Sequence, residues 1–233
     1  MNTIYIFSDL HGNLPALNAV INDIGIIEFD NSLKLFLGDY IDFGPYSNEV
    51  LDIIRKFNNA HYIIGNHDQY LFMKTDTLFK DFNYRDKLIA HMAWTNNAIS
   101  NDNKKWIFNL PVTKKIKIDD FELLMCHGHL ENTEKAFLTE TIERINSKII
   151  VTGHIHAPYF KIMNNKFIIN PGSVGESLDN DNRASYSMLI IDGNKINVVN
   201  KRVSYDINTI EIELIKEMYH GKMKLLEEYE KLV

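Results

Sequence analysis

Five short clusters bring Asp, His and Asn side chains together at close spacing: Ser8-Asp9-Leu10-His11-Gly12-Asn13, Gly38-Asp39-Tyr40-Ile41-Asp42, Gly65-Asn66-His67-Asp68, Cys126-His127-Gly128-His129 and Gly153-His154-Ile155-His156. Carboxylate oxygen, amide oxygen and imidazole nitrogen without thiolate form a mixed donor set suited to Mn, Fe, Zn or a related divalent ion. The set is too large for one tetrahedral ion. Two ions about 3.5–4 Å apart and sharing a bridging carboxylate account for it, because such a pair activates one water and clamps a phosphoryl oxygen. The competing reading is ordinary turn chemistry, since Asp and Asn favour loop positions for their own hydrogen bonds.

The clusters gain weight from the elements that precede them. Thr3 to Ser8, Leu33 to Leu37 and His61 to Ile64 are short apolar runs without polar alternation, as strands buried on both faces should be. Each runs directly into a cluster, and ligands of α/β folds bind at such strand ends. Pro15 to Ile24 and Asn48 to Phe57 have apolar residues at helical spacing, the first entered through Asn13 and Pro15. The stretch from about 67 to 110 reads as a helical insertion beside the cleft. Its aromatics, including Trp94 and Trp106, and the histidines His61 and His91 are expected to pack rather than bind.

After Pro111 the pattern returns to strands: Thr113 to Ile118, Glu122 to Cys126, Ile149 to Thr152, Tyr159 to Ile162, Lys166 to Ile169, Tyr186 to Ile191 and Lys195 to Val203. A second sheet is expected. Asp119-Asp120, Asn164-Asn165 and Gly193-Asn194 suit tight hairpin turns. From about 207 to 233 an amphipathic helical segment is expected, interrupted by Gly221 and packed on its own domain.

With 233 residues, 45% of them hydrophobic, the chain fits a single domain, 1–233, with one continuous core. The formal net charge of −6 disfavours nucleic acid and anionic membrane as partners. No segment reaches the run of about 18 apolar residues that a membrane span needs. The lone cysteine, Cys126, cannot form an internal disulfide and lacks an activating motif, so a cytoplasmic protein with a buried structural thiol is expected.

Taken in order, the five clusters resemble the calcineurin-like metallophosphoesterase family, whose outline is D-x-H, G-D, G-N-H-D/E, a later H, and G-H-x-H. Asn170-Pro171-Gly172-Ser173-Val174-Gly175 and Arg183-Ala184-Ser185-Tyr186 resemble the tail of its small bacterial phosphodiesterase branch. The resemblance implies a four-layer αββα sandwich. It also implies that Asp9, His11 and His156 hold one metal, that Asn66, His127 and His154 hold the other, and that Asp39 lies between them. His67 would serve as the catalytic side chain at the leaving oxygen while activated hydroxide attacks phosphorus, and Asp68 would orient the His67 imidazole. His129 departs from the family's usual small residue and is a weak candidate for the site. Asp42 is read as a helix cap or loop tie. Arg183 either binds substrate phosphate or pairs with Asp179 or Asp181.

The expected activity is metal-dependent hydrolysis of a small phosphorylated substrate, foremost a phosphodiester. Dinucleoside polyphosphate hydrolysis is the close alternative, and protein phosphatase activity and a non-catalytic scaffold are more remote ones. Gly38-Asp39-Tyr40-Ile41-Asp42-Phe43-Gly44 resembles the protein-phosphatase form of its motif, which carries Arg where Phe43 stands. A bidentate Arg suits a nearly dianionic monoester, so Phe43 points toward diesters.

Overall fold

The computed structural model describes residues 2–74, 78, 85–130, 132–135, 137 and 139–210. Strand β1 (Asn2–Phe7) leads through helix α1 (Leu14–Ile24) and the short α2 (Ile26–Asn31) to β2 (Leu33–Phe36). Helix α3 (Ser47–Ile54) then connects to β3 (Ala60–Tyr62). The three strands are parallel neighbours, with Ile4 opposite Leu33 and Leu35 opposite His61. Helices α4 (Asn66–Tyr70), α5 (Arg85–Ala98) and α6 (Asn101–Phe108) occupy the expected insertion.

The second sheet holds β4 (Thr113–Ile118), β5 (Phe121–Cys126), β6 (Ile149–Val151), β7 (Tyr159–Met163) and β8 (Lys166–Asn170), in the order β4-β5-β6-β8-β7. The final hairpin, β9 (Ala184–Asp192) and β10 (Lys195–Val203), lies where strands are expected after Pro111 but stands apart from the second sheet. It returns to the first sheet, whose order is β10-β9-β1-β2-β3, with β9 antiparallel to β1. Local periodicity defines a strand but not its partner. The hairpin turns fall where expected: Asn164 and Asn165 both have positive φ, 49° and 58°, as a two-residue hairpin loop demands.

Period-two alternation splits the side chains of each strand between two cores. Ile4 and Ile6 of β1 meet Leu123 and Met125 of β5, Ile149 and Val151 of β6 and Ile169 of β8 between the sheets. Tyr5 and Phe7 point the other way, against Leu17, Val20, Val50, Leu51 and Ile54 of α1 and α3. Outside the second sheet, Leu124, Cys126, Ile150 and Ile168 are covered by Phe137, Ile142 and Ile145. The layers are therefore helix, sheet, sheet and a thinner cover that includes the 3-10 helix Thr139–Arg144. In α1, the Asn13 side chain accepts the Ala16 amide at the N-terminus, and Gly25, at φ 86°, ends the helix. Leu17 is fully buried, and Leu17→Ala would cost about 2–5 kcal/mol and loosen the helix that follows the first cluster.

Trp106 packs on Tyr40 and Tyr62, as expected of an insertion aromatic. Among the described residues no helix is long and apolar enough to cross a membrane. The segment expected to be helical from about 207 lies outside the described residues beyond 210.

Candidate metal centre

All five clusters follow the C-terminal ends of strands that run parallel within their sheets: β1, β2 and β3 in the first, β5 and β6 in the second. The sandwich therefore delivers them to one edge. Backbone hydrogen bonds lace the loops together, Asp9 N–H to Gly38 O at 3.1 Å, His11 N–H to Asp39 O at 3.0 Å and Gly153 N–H to His127 O at 2.7 Å. The chain makes tight left-handed turns at the ligand positions themselves: φ is 55° at Asp9, 46° at His11, 53° at Asp39, 70° at His154 and 60° at His156. Non-glycine residues adopt such angles at a cost, and they cluster at functional sites. Gly65 is required for a different reason. A Cβ added there would lie 2.1 Å from Oδ1 of Asp39, so only hydrogen lets the third cluster close on the second.

The seven residues anticipated as ligands converge. Ligand atoms of Asp9, His11 and His156 lie within 4.8 Å of one another, as do those of Asp39, His127 and His154. Asn66 Oδ1 joins the second group, 2.9 Å from both His127 Nε2 and His154 Nδ1. Asp39 Oδ2 lies between the groups, 3.1 Å from His127 Nε2 and 4.0 Å from His11 Nε2. The nitrogens of His11 and His156 approach to 3.2 Å. All of these side chains are buried except that of His154, which is partly exposed.

The donor set fits divalent cations on two observations. His11, His127 and His156 each turn Nδ1 to a backbone carbonyl, of Ile41, Leu37 and Glu176 respectively, which holds the Nδ1 proton there and leaves Nε2 as the atom facing the centre. Asp9 Oδ1, in addition, is buried without a hydrogen-bond partner while lying 3.3 Å from His156 Nε2 and 3.8 Å from His127 Nε2. An orphaned carboxylate oxygen among imidazole nitrogens is costly in a protein interior unless a cation accepts it.

The protonation balance is consistent with that demand. Burial alone would raise the pKa values of Asp9 and Asp39, but neighbouring imidazoles hold both low, His156 foremost for Asp9 and His127 for Asp39. Burial works against a charged His127, yet Asp39 and Asp9 push it up to about 9. His11 is driven down to about 3 by burial and by the charges of His156 and His67, which keeps its ring neutral.

His67 stands beside the first group, its ring centroid 5.0 Å from that of His11. The expectation that Asp68 orients this ring is corrected. Both Asp68 oxygens are taken by backbone amides, those of Asp39 at 2.8 Å, Tyr40 at 2.9 Å and Gly65 at 3.0 Å, so Asp68 holds the two loops in register. Asp42 takes its place, with Oδ2 2.7 Å from His67 Nδ1. Burial opposes the charge on His67, but Asp39 and the bond to Asp42 outweigh it and push its pKa up to about 9.

Sequence reasoning missed three residues here. His91, expected only to pack, places Nε2 2.9 Å from Asp42 Oδ1, and the Thr95 hydroxyl donates to the same oxygen at 3.1 Å. Glu176 follows the glycine-rich tail motif and brings Oε2 within 3.6 Å of His156 Nδ1 and 3.9 Å of His11 Nε2. Its place directly after Gly175 was the one available signal. Arg183 pairs with Asp181 on the surface through Nε at 2.9 Å and Nη2 at 2.7 Å, one of the two arrangements expected of it. His129 bridges to Asn132 in its own loop. Cys126 is buried, and burial pushes its thiol up to about 12, as suits a packing residue.

A model of the calcineurin-like phosphoesterase superfamily domain matches residues 2–194. An uncharacterized protein of Methanocaldococcus jannaschii is 33% identical, over 91% of this chain and 92% of that protein. A symmetrical bis(5'-nucleosyl)-tetraphosphatase of Coxiella burnetii is 24% identical over 78% of this chain, which spans 59% of that relative's length. The solved metallophosphoesterase of Sphaerobacter thermophilus shares the fold, with a TM-score of 0.74 at 23% identity, covering 92% of this chain and 94% of that one.

Proposed function

Since the chain belongs to the calcineurin-like phosphoesterase superfamily, whose members hydrolyse phosphoesters at a dinuclear metal centre, we propose that it is a phosphodiesterase and that its site residues divide the work as follows. Asp9, His11 and His156 would hold one divalent ion, and Asn66, His127 and His154 would hold the second, with Asp39 placed between them. The observation that carries this reading is the pair of adjoining donor groups with Asp9 Oδ1 left without a hydrogen bond between them. When bound, the two ions supply a nucleophilic water and neutralise charge on the phosphoryl group.

The protein's own groups do the rest. His67 carries a proton and delivers it to the leaving oxygen, a role worth about 10²–10⁴ in rate. Asp42 holds Nδ1 of that ring and so fixes which nitrogen faces the substrate. Phe43 closes one wall, its ring 4.9 Å from the rings of both His11 and His67. A neutral aromatic wall suits a singly charged diester better than a monoester dianion, which a guanidinium would bind in pairs of hydrogen bonds.

Hydrolysis of a dinucleoside polyphosphate is the second reading, favoured by the similarity to the tetraphosphatase and compatible with the same centre. A reducing cytoplasm suits a chain whose lone thiol is buried, and cell fractionation would check that placement. Function is tested with metal-reconstituted protein on bis-p-nitrophenyl phosphate, diadenosine tetraphosphate and a phosphoserine peptide in parallel. The diester should give the highest kcat/KM. A clear preference for the peptide would reject the proposal.

A further inference from the structure

Helix α5 carries His91 and Thr95 one turn apart, so both present to the same side of the helix. They are 6% and 2% exposed, and both reach the same atom, Oδ1 of Asp42. The other oxygen, Oδ2, serves His67 at 2.7 Å. The carboxylate is thus divided, one oxygen to the insertion and one to the ring beside the metal centre. His91 Nε2 also accepts the Phe43 amide proton at 2.7 Å, so the ring ties the backbone beside Asp42 to α5 while the Thr95 hydroxyl donates to Oδ1.

The division matters because the carboxyl torsion of Asp is soft, with a broad two-fold preference. Held by His67 alone, the Asp42 carboxylate would swing with the ring. With Oδ1 anchored from α5, its plane is fixed and the His67 ring is fixed with it. The ring of His91 is itself held between Phe43 and Trp94, at centroid distances of 5.7 and 5.5 Å. Apolar side chains would fill the same space but leave Oδ1 buried and unpaired on a residue only 3% exposed.

We propose that His91 and Thr95 are positioning residues for proton delivery by His67, acting through the Asp42 carboxylate. This rests on the phosphoesterase reading above. The helical insertion is on this view part of the catalytic apparatus, although neither residue touches substrate or metal.

The test uses full-length, metal-loaded protein and two diesters that differ in leaving group, bis-p-nitrophenyl phosphate and a dialkyl phosphodiester, which can expel only an alkoxide. Nitrophenolate departs without a proton, whereas an alkoxide needs one. Thr95→Val and His91→Phe should lower kcat for alkyl release by about 10–100-fold, the scale of a slightly misplaced catalytic group. Nitrophenolate release, KM and bound metal should stay close to wild type. His91→Gln, whose amide can both accept from Phe43 and donate to Oδ1, should restore much of the loss. Equal losses for both leaving groups, or none for either, would overturn the proposal.

A wild-type protein that cleaves no phosphoester would instead overturn the phosphoesterase reading. The inference is then judged on zinc-loaded protein by NMR. The His67 imidazole proton bonded to Asp42 should be slow to exchange in wild type and in His91→Gln, and lost to exchange in Thr95→Val and His91→Phe. An unchanged resonance in both latter variants would sink it.

Discussion

The hydroxyl of Tyr70 accepts the side-chain amide proton of Asn66 at 3.1 Å, and this bond decides which end of the Asn66 amide faces the centre. With the nitrogen engaged, Oδ1 is left turned toward His127 and His154. Tyr70 lies one helical turn after Asn66 on α4, so the short helix brings ligand and orienter together. Tyr70→Phe should therefore weaken divalent-ion affinity about 10–100-fold, the usual effect of losing a partner behind a ligand. Titration calorimetry with Mn would measure it, and unchanged affinity would show that the amide needs no such support.

His67→Ala should lower turnover by about 10²–10⁴ with metal content retained, because the ring acts beside the ligands rather than among them. Elemental analysis alongside kcat separates the outcomes. Loss of both ions would move His67 into the ligand set.

Asp42→Asn should shift the alkaline limb of the kcat profile to lower pH. Asp39 and Asp42 hold the His67 pKa up to about 9 against the opposing effect of burial, so the ring stays protonated through neutrality and the rate falls as pH rises past its pKa. Bound cations offset part of the pull of Asp39, which places the limb between the ordinary histidine value of about 6.5 and that upper value. An amide at position 42 removes charge and acceptor strength together. A limb that does not move would assign the proton donor elsewhere.

Metal uptake should release protons. Despite burial, Asp39 and Asp9 raise His127 to about 9, so in the metal-free protein this ring is charged at neutral pH. A raised histidine stabilises the fold fully below its unfolded pKa and progressively less as pH rises through the folded one. A cation must displace that proton, so apparent affinity should climb with pH across the same window. Calorimetry in buffers of different ionisation enthalpy counts the protons directly, and none released would contradict a charged His127.

Gly65→Ala should damage the centre without changing a ligand. The new methyl group would press on Asp39 Oδ1 at 2.1 Å and on its backbone nitrogen at 2.4 Å. Overpacking of this kind costs about 1–3 kcal/mol. Thermal unfolding and metal stoichiometry should both fall, and a variant with normal Tm and full metal content would show that the loop can shift.

Much of this architecture is written in local sequence. The ligand clusters are recognisable because each follows an apolar run too short for a helix, and the Asn164-Asn165 turn because two successive asparagines tolerate positive φ. The partners of the final hairpin are not local, and β9 joins β1 because the first sheet has an open edge, which no periodicity records. Helix α2 was overlooked because it is six residues long and has no side-chain cap. Asp68 and Asp42 exchanged roles for a related reason. Sequence adjacency favoured Asp68 as the orienter of His67, but the start of α4 turns the Asp68 carboxylate back onto the amides of Asp39, Tyr40 and Gly65. His91 is separated from Asp42 by the whole approach to the insertion, so only tertiary structure makes it a neighbour.

The antiparallel pairing of β9 with β1 also governs the order in which the protein can be completed on the ribosome. Asn2 ends opposite Ile191 and Ile6 opposite Ser187, so β1 waits for the far-downstream β9 before its second edge is covered. Until then a nascent chain offers β1, β2 and β3 as a parallel ribbon with an open margin, the kind of edge that recruits other strands. Asp9 and His11 wait in the same way for His156, which lies far downstream of both. Cations therefore cannot template the early steps of folding. They are captured only once His156 is in place, and a chain stalled between His156 and β9 would carry the full donor set on a sheet whose edge is still open and prone to aggregate.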